Sequence, residues 1–158
     1  ISELLKDQNR NYYLFDSYEG LPQAEEIDGQ EAIEYQANPD REDYLNNCKA
    51  EEEIAIEAMQ KSGTKSFKTV KGWFNETLPN FNHSEKIAIL RLDGDWYSST
   101  MDCLVNLYDH VVEGGIIILD DYYYWEGCTK AVHDFLSSRK SKDVICQFMD
   151  AVGYIKKK

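Results

Sequence analysis

The sequence lacks the short motifs that mark most nucleophilic and zinc chemistry. It contains no GxSxG turn, HExxH helix, phosphate-binding loop or CxxC pair, and its 158 residues include four cysteines and three histidines. No apolar run reaches the length of a membrane-spanning helix, and the first residues do not have the pattern of a signal peptide. We therefore expect reduced cysteines, no zinc site, and a cytoplasmic protein that does not use a membrane as partner.

Positive charge is also scarce, with 17 lysines and arginines against 29 acidic residues. The formal net charge of -12 argues against nucleic acid or an anionic membrane surface as the main partner. Many of the acidic residues crowd the stretch 23–43, which also contains Gly29 and Pro39. We interpret this stretch as a solvated, mobile loop, and its length suggests a lid over a substrate.

The chain is long enough for one domain with a substantial core. Short apolar runs alternate with segments of helical periodicity. Strands are predicted at 12–15, 66–70, 86–92, 116–119, 144–148 and 152–156, and helices at 1–5, 41–61, 97–112 and around 131–136. Gly114-Gly115 would end the helix at 97–112. This alternation predicts parallel βαβ units, and thus an α/β domain whose sheet is covered by helices on both faces.

Two of the predicted strands run directly into pairs of aspartates. "RLDGD" closes one strand at 91–95, and "ILDD" closes the next at 118–121. The carboxyl ends of parallel strands form the ligand-binding edge of an α/β sheet. Adjacent carboxylates repel one another unless a cation or protons neutralise them, and oxygen ligands suit Mg²⁺ better than zinc. Asp93 with Asp120 and Asp121 therefore predicts a magnesium site.

Asp95 leaves three interpretations open: a further metal ligand, a general base, or the N-cap of the helix that begins at Tyr97. The other potential bases are His83, His110 and His133. His133 follows the second aspartate pair on a predicted helix, which would let it approach the site. For all three histidines we favour an ordinary position at the surface or boundary of the domain.

These motifs resemble those of the macrocin O-methyltransferase family. The matching stretches are "YLFDSYEGLP" (13–22), "KGWFNETLP" (71–79), "LRLDGDWYSST" (90–100), "VVEGGIIILDDY" (111–122) and the closing "FMDAVGYIKKK" (148–158). The family consists of class I, S-adenosylmethionine-dependent and metal-dependent enzymes of macrolide and aminocoumarin antibiotic pathways. The resemblance implies a Rossmann-like methyltransferase sheet that is mostly parallel, with an antiparallel C-terminal strand.

The resemblance also implies roles for the strand-end aspartates. Asp93, Asp120 and Asp121 match the positions that hold the divalent metal, normally Mg²⁺. Asp95 matches the aspartate proposed as general base. The metal would bind two vicinal oxygens of a small-molecule acceptor, a glycoside or sugar, and lower the pKa of its hydroxyl. Asp95 would take the proton, and the alkoxide would attack the methyl group of S-adenosylmethionine in line.

Four further residues match positions near the cofactor. Asp16 ends a strand where an acidic residue commonly binds the cofactor ribose, whereas Ser17, Gly72 and Trp73 lie close to the expected adenine pocket. The family carries its glycine-containing cofactor motif on a first strand ahead of the helix at 1–5, and this sequence contains no such segment. We therefore expect 1–158 to be a single, N-terminally incomplete methyltransferase domain that binds S-adenosylmethionine weakly or not at all.

Two alternatives to a methyltransferase stay open. One is a non-catalytic fragment or assembly module of the same fold, with an exposed central sheet edge. The other is a different Mg²⁺-dependent α/β enzyme such as a phosphotransferase, although the sequence contains no phosphate-cradling loop. The family precedent also leads us to expect a homo-oligomer.

Overall fold

The computed structural model describes residues 1–5, 8–82, 84–148 and 151–158. The α-helices are α1 (Ser2–Leu5), α2 (Gln30–Ala37), α3 (Glu52–Lys61), α4 (Phe74–Thr77), α5 (Tyr97–Leu107) and α6 (Glu126–Ser138). The strands are β1 (Tyr12–Asp16), β2 (Phe67–Lys71), β3 (Ile87–Leu92), β4 (Val111–Leu119), β5 (Ile145–Gln147) and β6 (Gly153–Lys156). Short 3-10 helices cover Glu26–Asp28, Asn46–Cys48 and Tyr108–His110. Within the described ranges, no helix is long and apolar enough to cross a membrane.

The strands form two sheets. β1 pairs with β2 in parallel, and the second sheet has the order β3-β4-β6-β5. β3 and β4 are parallel, whereas β6 runs antiparallel to both of its neighbours. Helices lie on both sides of the strands. The predicted α/β class, with parallel pairs and an antiparallel C-terminal strand, is confirmed.

In the described part of the chain, no hydrogen-bonded ladder joins the β1-β2 sheet to the four-stranded sheet. Side chains bridge this break instead. Phe81 packs edge-on against Tyr13 and Phe15, with ring centroids 5.0 Å apart in both pairs. The Glu85 carboxylate accepts hydrogen bonds from the Asn11 amide and the Tyr13 hydroxyl.

The main core lies between β3, β4 and β6 on one side and α5 and α6 on the other. Its buried residues include Leu90, Leu92, Leu104, Ile117, Leu119, Val132, Phe135 and Ile155. Burial of each such side chain contributes about 1.5–3 kcal/mol to folding. Because side chains alternate along a strand, burial of the two β3 leucines turns Arg91 and Asp93 toward solvent. The core thereby fixes the direction of the polar residues at the end of β3.

A second buried cluster lies beside the main core and includes part of the acidic stretch. Its members are Ala24, Ala32, Tyr35, Trp96, Trp125 and Cys128. The stretch 23–43 is therefore not a plain loop, because α2 buries Ala32 and Tyr35 against the two tryptophans. Its predicted role as a lid stays a prediction.

Two predicted helices have different bounds in the structure. The helix predicted at 41–61 begins only at Glu52, because Asn46, Asn47 and Cys48 all have positive φ angles, which an α-helix excludes. The helix predicted at 97–112 ends at Leu107, and β4 begins at Val111. The glycines at 114–115 therefore lie inside a strand, where they exchange backbone hydrogen bonds with Lys157.

Candidate active site

Three carboxylates meet where β3 and β4 end. Asp93, Asp95 and Asp121 each offer one oxygen, and these oxygens all lie within 4.8 Å of one another. The parallel pairing of Leu92 with Leu119 brings both strands to the same edge of the sheet. The predicted meeting of carboxylates from the two strand ends is therefore observed.

Asp120 lies outside this group. Its carboxylate forms an ion pair with Arg91, with 2.7 Å between Nη2 and Oδ2. The predicted ligand set of Asp93, Asp120 and Asp121 thus differs from the set that the structure brings together, in which Asp95 stands in place of Asp120. Both aspartates lie in the turn that follows β4, and within that turn Arg91 pairs with Asp120 whereas Asp121 joins the group.

Asp95 is held by two hydrogen bonds in a left-handed backbone conformation with φ 55°. Its Oδ1 accepts a hydrogen bond from the Trp125 indole over 2.7 Å, and its backbone N–H donates to Oδ2 of Asp121 over 3.3 Å. The interpretation of Asp95 as an N-cap is wrong, because the first amide of α5, that of Tyr97, donates instead to Oδ1 of Asp28 over 2.7 Å. The roles of metal ligand and general base stay open for Asp95.

The three clustered carboxyl groups all resist ionisation. Partial burial is the largest cause of the raised pKa in each of them. The pKa of Asp95 rises to about 6 and the pKa of Asp121 to about 8, and the pKa of Asp93 is raised as well. The neighbouring negative charges raise all three pKa values further. Arg91 opposes this effect at Asp93, and the Trp125 hydrogen bond opposes it at Asp95. The group is therefore suited to take up protons or a cation.

The four residues predicted to bind the cofactor lie together at the ends of β1 and β2. The backbone N–H of Gly72 donates to the carbonyl of Asp16 over 3.0 Å, and Trp73 immediately precedes α4. Asp16 is exposed, and its charge contributes to the raised pKa of Asp93. Ser17 is buried, and its hydroxyl donates to the carbonyl of Gly20 within the following turn. Asp16 therefore faces the same edge as the carboxylate group.

Neither of the two histidines in the described ranges belongs to the group of carboxylates. His133 is exposed, and its Nε2 lies 2.7 Å from the Tyr122 hydroxyl. His110 closes the 3-10 helix that follows α5. His83 lies outside the described residues. The interpretation of His133 as an ordinary surface residue agrees with its exposure.

Sequence reasoning missed two residues that shape the site, Asp28 and Trp125. Asp28 is buried and accepts hydrogen bonds from the amides of Tyr97 and Glu25, so it ties the acidic stretch to the start of α5. Trp125 binds Asp95 and also lines an open pocket of about 420 Å³ along residues 122–126. The position of Trp125 in the sequence, between the aspartate pair and α6, is the signal that could have indicated its place beside the site.

Solved structures resemble this chain along most of its length. The O-methyltransferase NovP superposes with a TM-score of 0.79 at 27% identity, over 94% of this chain and 60% of that one. The calicheamicin methyltransferase CalS11 superposes with a TM-score of 0.74 at 18% identity, over 98% of this chain and 65% of that one. Because the identity is low, this second likeness supports the fold and not the function. The chain therefore has the class I methyltransferase fold.

Sequence comparison narrows this class to one family. The family model of macrocin O-methyltransferase (TylF) matches residues 3–157, so the chain belongs to the macrocin O-methyltransferase family. It is 31% identical over 153 residues to 8-demethyl-8-(2,3-dimethoxy-alpha-L-rhamnosyl)-tetracenomycin-C 4'-O-methyltransferase of Streptomyces olivaceus, covering 93% of this chain and 54% of that protein. It is 34% identical over 129 residues to demethyldecarbamoylnovobiocin O-methyltransferase of Streptomyces niveus, and this match covers 81% of this chain and 48% of that protein. The chain thus spans about half the length of these relatives.

Proposed function

We propose that the protein is an O-methyltransferase that transfers a methyl group from S-adenosylmethionine to a hydroxyl of a sugar or glycoside, with Mg²⁺ at the strand-end carboxylates. The observation that carries the proposal is the group of Asp93, Asp95 and Asp121 in a chain of this family. One relative supports a glycoside acceptor, since it is named for a rhamnosyl tetracenomycin. Another is named for demethyldecarbamoylnovobiocin, which supports an acceptor that is a small molecule.

The chemistry of the donor set fits a divalent cation. Three carboxylates with raised pKa values gain most from a positive charge, and Mg²⁺ prefers such oxygen ligands. Asp93 and Asp121 would hold the ion, with Asp95 beside them and Asp120 as the further ligand that the family resemblance adds. A bound Mg²⁺ ion lowers the pKa of an adjacent sugar hydroxyl.

Asp95 is the residue we assign as general base. Its pKa of about 6 is close to the range in which a carboxylate is both ionised and able to accept a proton at neutral pH. Because Oδ1 accepts the Trp125 hydrogen bond, Oδ2 is the oxygen that would take the proton of the acceptor hydroxyl. S-adenosylmethionine, when bound, would supply the methyl group that bonds to the deprotonated oxygen, and its sulfur would keep the electron pair of the broken carbon–sulfur bond.

The cofactor would bind at the ends of β1 and β2. Asp16 would accept hydrogen bonds from the ribose hydroxyls, because its carboxylate is exposed at this edge. Gly72 has a φ angle of 136°, a conformation that favours glycine, and a Cβ there would lie 2.8 Å from the Thr77 methyl group. Ser17 and Trp73 would shape the adenine side of the site, Ser17 through its turn and Trp73 through its ring.

The acidic stretch would cover the acceptor. Tyr35 of α2 packs against Trp125, with ring centroids 5.6 Å apart, so the stretch 23–43 reaches the indole that binds Asp95.

We also retain the expectation of a homo-oligomer, which light scattering of the purified protein measures directly.

Calorimetric titration with Mg²⁺ and then with S-adenosylmethionine tests the proposal. Asp121→Asn removes one clustered carboxylate, and Asp109→Asn is the matched control because Asp109 is exposed and pairs with Arg139. We expect Mg²⁺ binding that is lost in Asp121→Asn and kept in Asp109→Asn. A folded parent protein that binds no Mg²⁺ would contradict the metal assignment, whereas one that binds Mg²⁺ but little S-adenosylmethionine would agree with the weak cofactor binding expected from the sequence.

A further inference from the structure

Arg91 bridges two of the four strand-end carboxylates. Its Nη1 lies 2.7 Å from Oδ2 of Asp93, and its Nη2 lies 2.7 Å from Oδ2 of Asp120. Its Nε donates to the other oxygen of Asp120 over 3.4 Å. The planar guanidinium presents several donors in fixed directions, so one arginine satisfies both partners at once.

This bridge divides the carboxylates unequally. Asp120 pairs with Arg91 and lies outside the group of three. Asp93 belongs to both arrangements, because it pairs with Arg91 and also lies within 4.8 Å of Asp95 and Asp121. Asp93 is therefore shared between the guanidinium and whatever else the group binds.

We infer that Arg91 is an internal counter-cation that competes with a divalent cation for Asp93 and Asp120 and thereby sets the metal affinity of the site. The inference rests on the proposed function. The positive charge of Arg91 lies beside the carboxylates that a cation would approach, so it repels that cation. Metal binding must also share or displace the contact between Arg91 and Asp93. Arg91 is thus a positioning residue rather than a catalytic one.

The sign of a mutational effect separates this role from a merely structural one. An arginine that only holds the strand ends together would, once removed, leave the ligands disordered and weaken metal binding. An arginine that competes for them would, once removed, free Asp93 and Asp120 and strengthen metal binding. Both roles predict the same contacts, so only the direction of the change in affinity distinguishes them.

Calorimetric titration with Mg²⁺ at fixed ionic strength makes this test. Arg91→Met removes the charge and keeps much of the side-chain length, and we expect it to tighten Mg²⁺ binding by about tenfold. Arg91→Lys should give a smaller increase, because an ammonium keeps the charge but lacks the planar fork. Arg139→Met is the matched control, since Arg139 is also ion-paired, to Asp109, and loses the same charge. Its Mg²⁺ affinity should match that of the parent protein.

Far-UV circular dichroism and a thermal transition for each variant show that the fold is kept. A folded Arg91→Met variant whose Mg²⁺ affinity equals or falls below that of the parent would overturn the inference and leave the proposed metal site intact. An equal gain in Arg139→Met would also overturn it, because the effect would then come from net charge. If neither the parent nor Arg91→Met binds Mg²⁺, the metal site and the inference both fail.

Discussion

The indole N–H of Trp125 donates a hydrogen bond to Oδ1 of Asp95 over 2.7 Å. Trp125 is 5% exposed and packs edge-on against Trp96, with ring centroids 4.9 Å apart. The ring therefore holds its donor in a fixed direction. The hydrogen bond favours the charged form of Asp95 and so limits the rise in its pKa that burial and Asp93 cause. A residue outside the aspartate motifs thus helps set the state of the proposed base.

Trp125→Phe tests this relationship. Phenylalanine keeps an aromatic ring in the cluster but cannot donate, so the pKa of Asp95 should rise above its present value of about 6. The acidic limb of the pH–rate profile for methyl transfer should then move to higher pH, and a rise of about one unit in this pKa should roughly halve the rate at pH 7. Tyr97→Phe is the control, because it removes an aromatic donor to Asp134 and keeps the hydrogen bond between Trp125 and Asp95. An acidic limb that moves equally in both variants would refute the assignment.

The pH dependence of stability provides a second prediction. Burial raises the pKa of Asp95 to about 6 and that of Asp121 to about 8, both from 3.8. The folded state therefore binds more protons than the unfolded state between about pH 4 and about pH 8. In metal-free protein, the free energy of unfolding should fall by about 2 kcal/mol as the pH rises through this window. Calorimetric melting temperatures across the window measure the fall.

The control for this prediction is Asp121→Asn, because an asparagine side chain at position 121 does not titrate between about pH 4 and about pH 8. Its melting temperature should vary less across the window and should exceed that of the parent at the alkaline end. Mg²⁺ should raise the melting temperature of the parent most at the alkaline end, because the carboxylates are charged there. A metal-free parent whose stability rises from about pH 5 to about pH 8 would contradict the proposed carboxylate repulsion.

Asp28 should be a stabilising residue of the acidic stretch. Its side chain is 3% exposed and accepts hydrogen bonds from the amides of Tyr97 and Glu25, at 2.7 and 2.9 Å. Asp28→Ala leaves both donors without this partner and should lower the free energy of unfolding by about 2–3 kcal/mol. Asp28→Asn keeps an acceptor oxygen and should lose less. Urea unfolding measures both changes.

Glu26→Ala is the control for Asp28, because Glu26 lies exposed in the same 3-10 helix. It should change stability by no more than about 0.5 kcal/mol. If Asp28→Ala and Glu26→Ala unfold at the same urea concentration, Asp28 does not anchor the stretch to α5.

The sequence could predict those parts of the fold that depend on residues close together along the chain. The apolar runs around Leu90 and Ile117 mark buried strands, because a strand covered on its faces requires continuous apolar residues. The place of Asp93 and Asp121 follows from the same runs, since parallel strands end at one edge. The family motifs reinforce these predictions at the same positions.

The rest depends on contacts that short-range patterns do not encode. Asp28 meets Tyr97 across 69 positions, and Trp125 meets Asp95 across 30. The left-handed backbone of Asp95 directs its side chain toward the group of three, and a spacing rule for strands cannot anticipate that turn. Asp120 and Asp121 are adjacent and identical residues, yet only Asp120 pairs with Arg91. Which of the two aspartates pairs follows from the three-dimensional arrangement and not from the sequence.

Gly127, at the start of α6, should be required for the contact between this helix and the acidic stretch. A Cβ at this position would collide with Oδ1 of Asp28 and lie 2.8 Å from the backbone nitrogen of Tyr97. Helix propensity alone would favour alanine over glycine by about 1 kcal/mol, so the two effects have opposite signs. We expect overpacking to dominate, and Gly127→Ala to destabilise the protein by about 2 kcal/mol in urea unfolding.

A double-mutant cycle with Asp28→Ala identifies the cause of this loss. Removal of the Asp28 carboxylate removes one of the atoms that the new methyl group would strike, so Gly127→Ala should cost less in that background. Equal costs in both backgrounds would place the strain at Tyr97 instead. A Gly127→Ala protein as stable as the parent would mean that helix propensity prevails, and that the start of α6 has room to move away from Asp28.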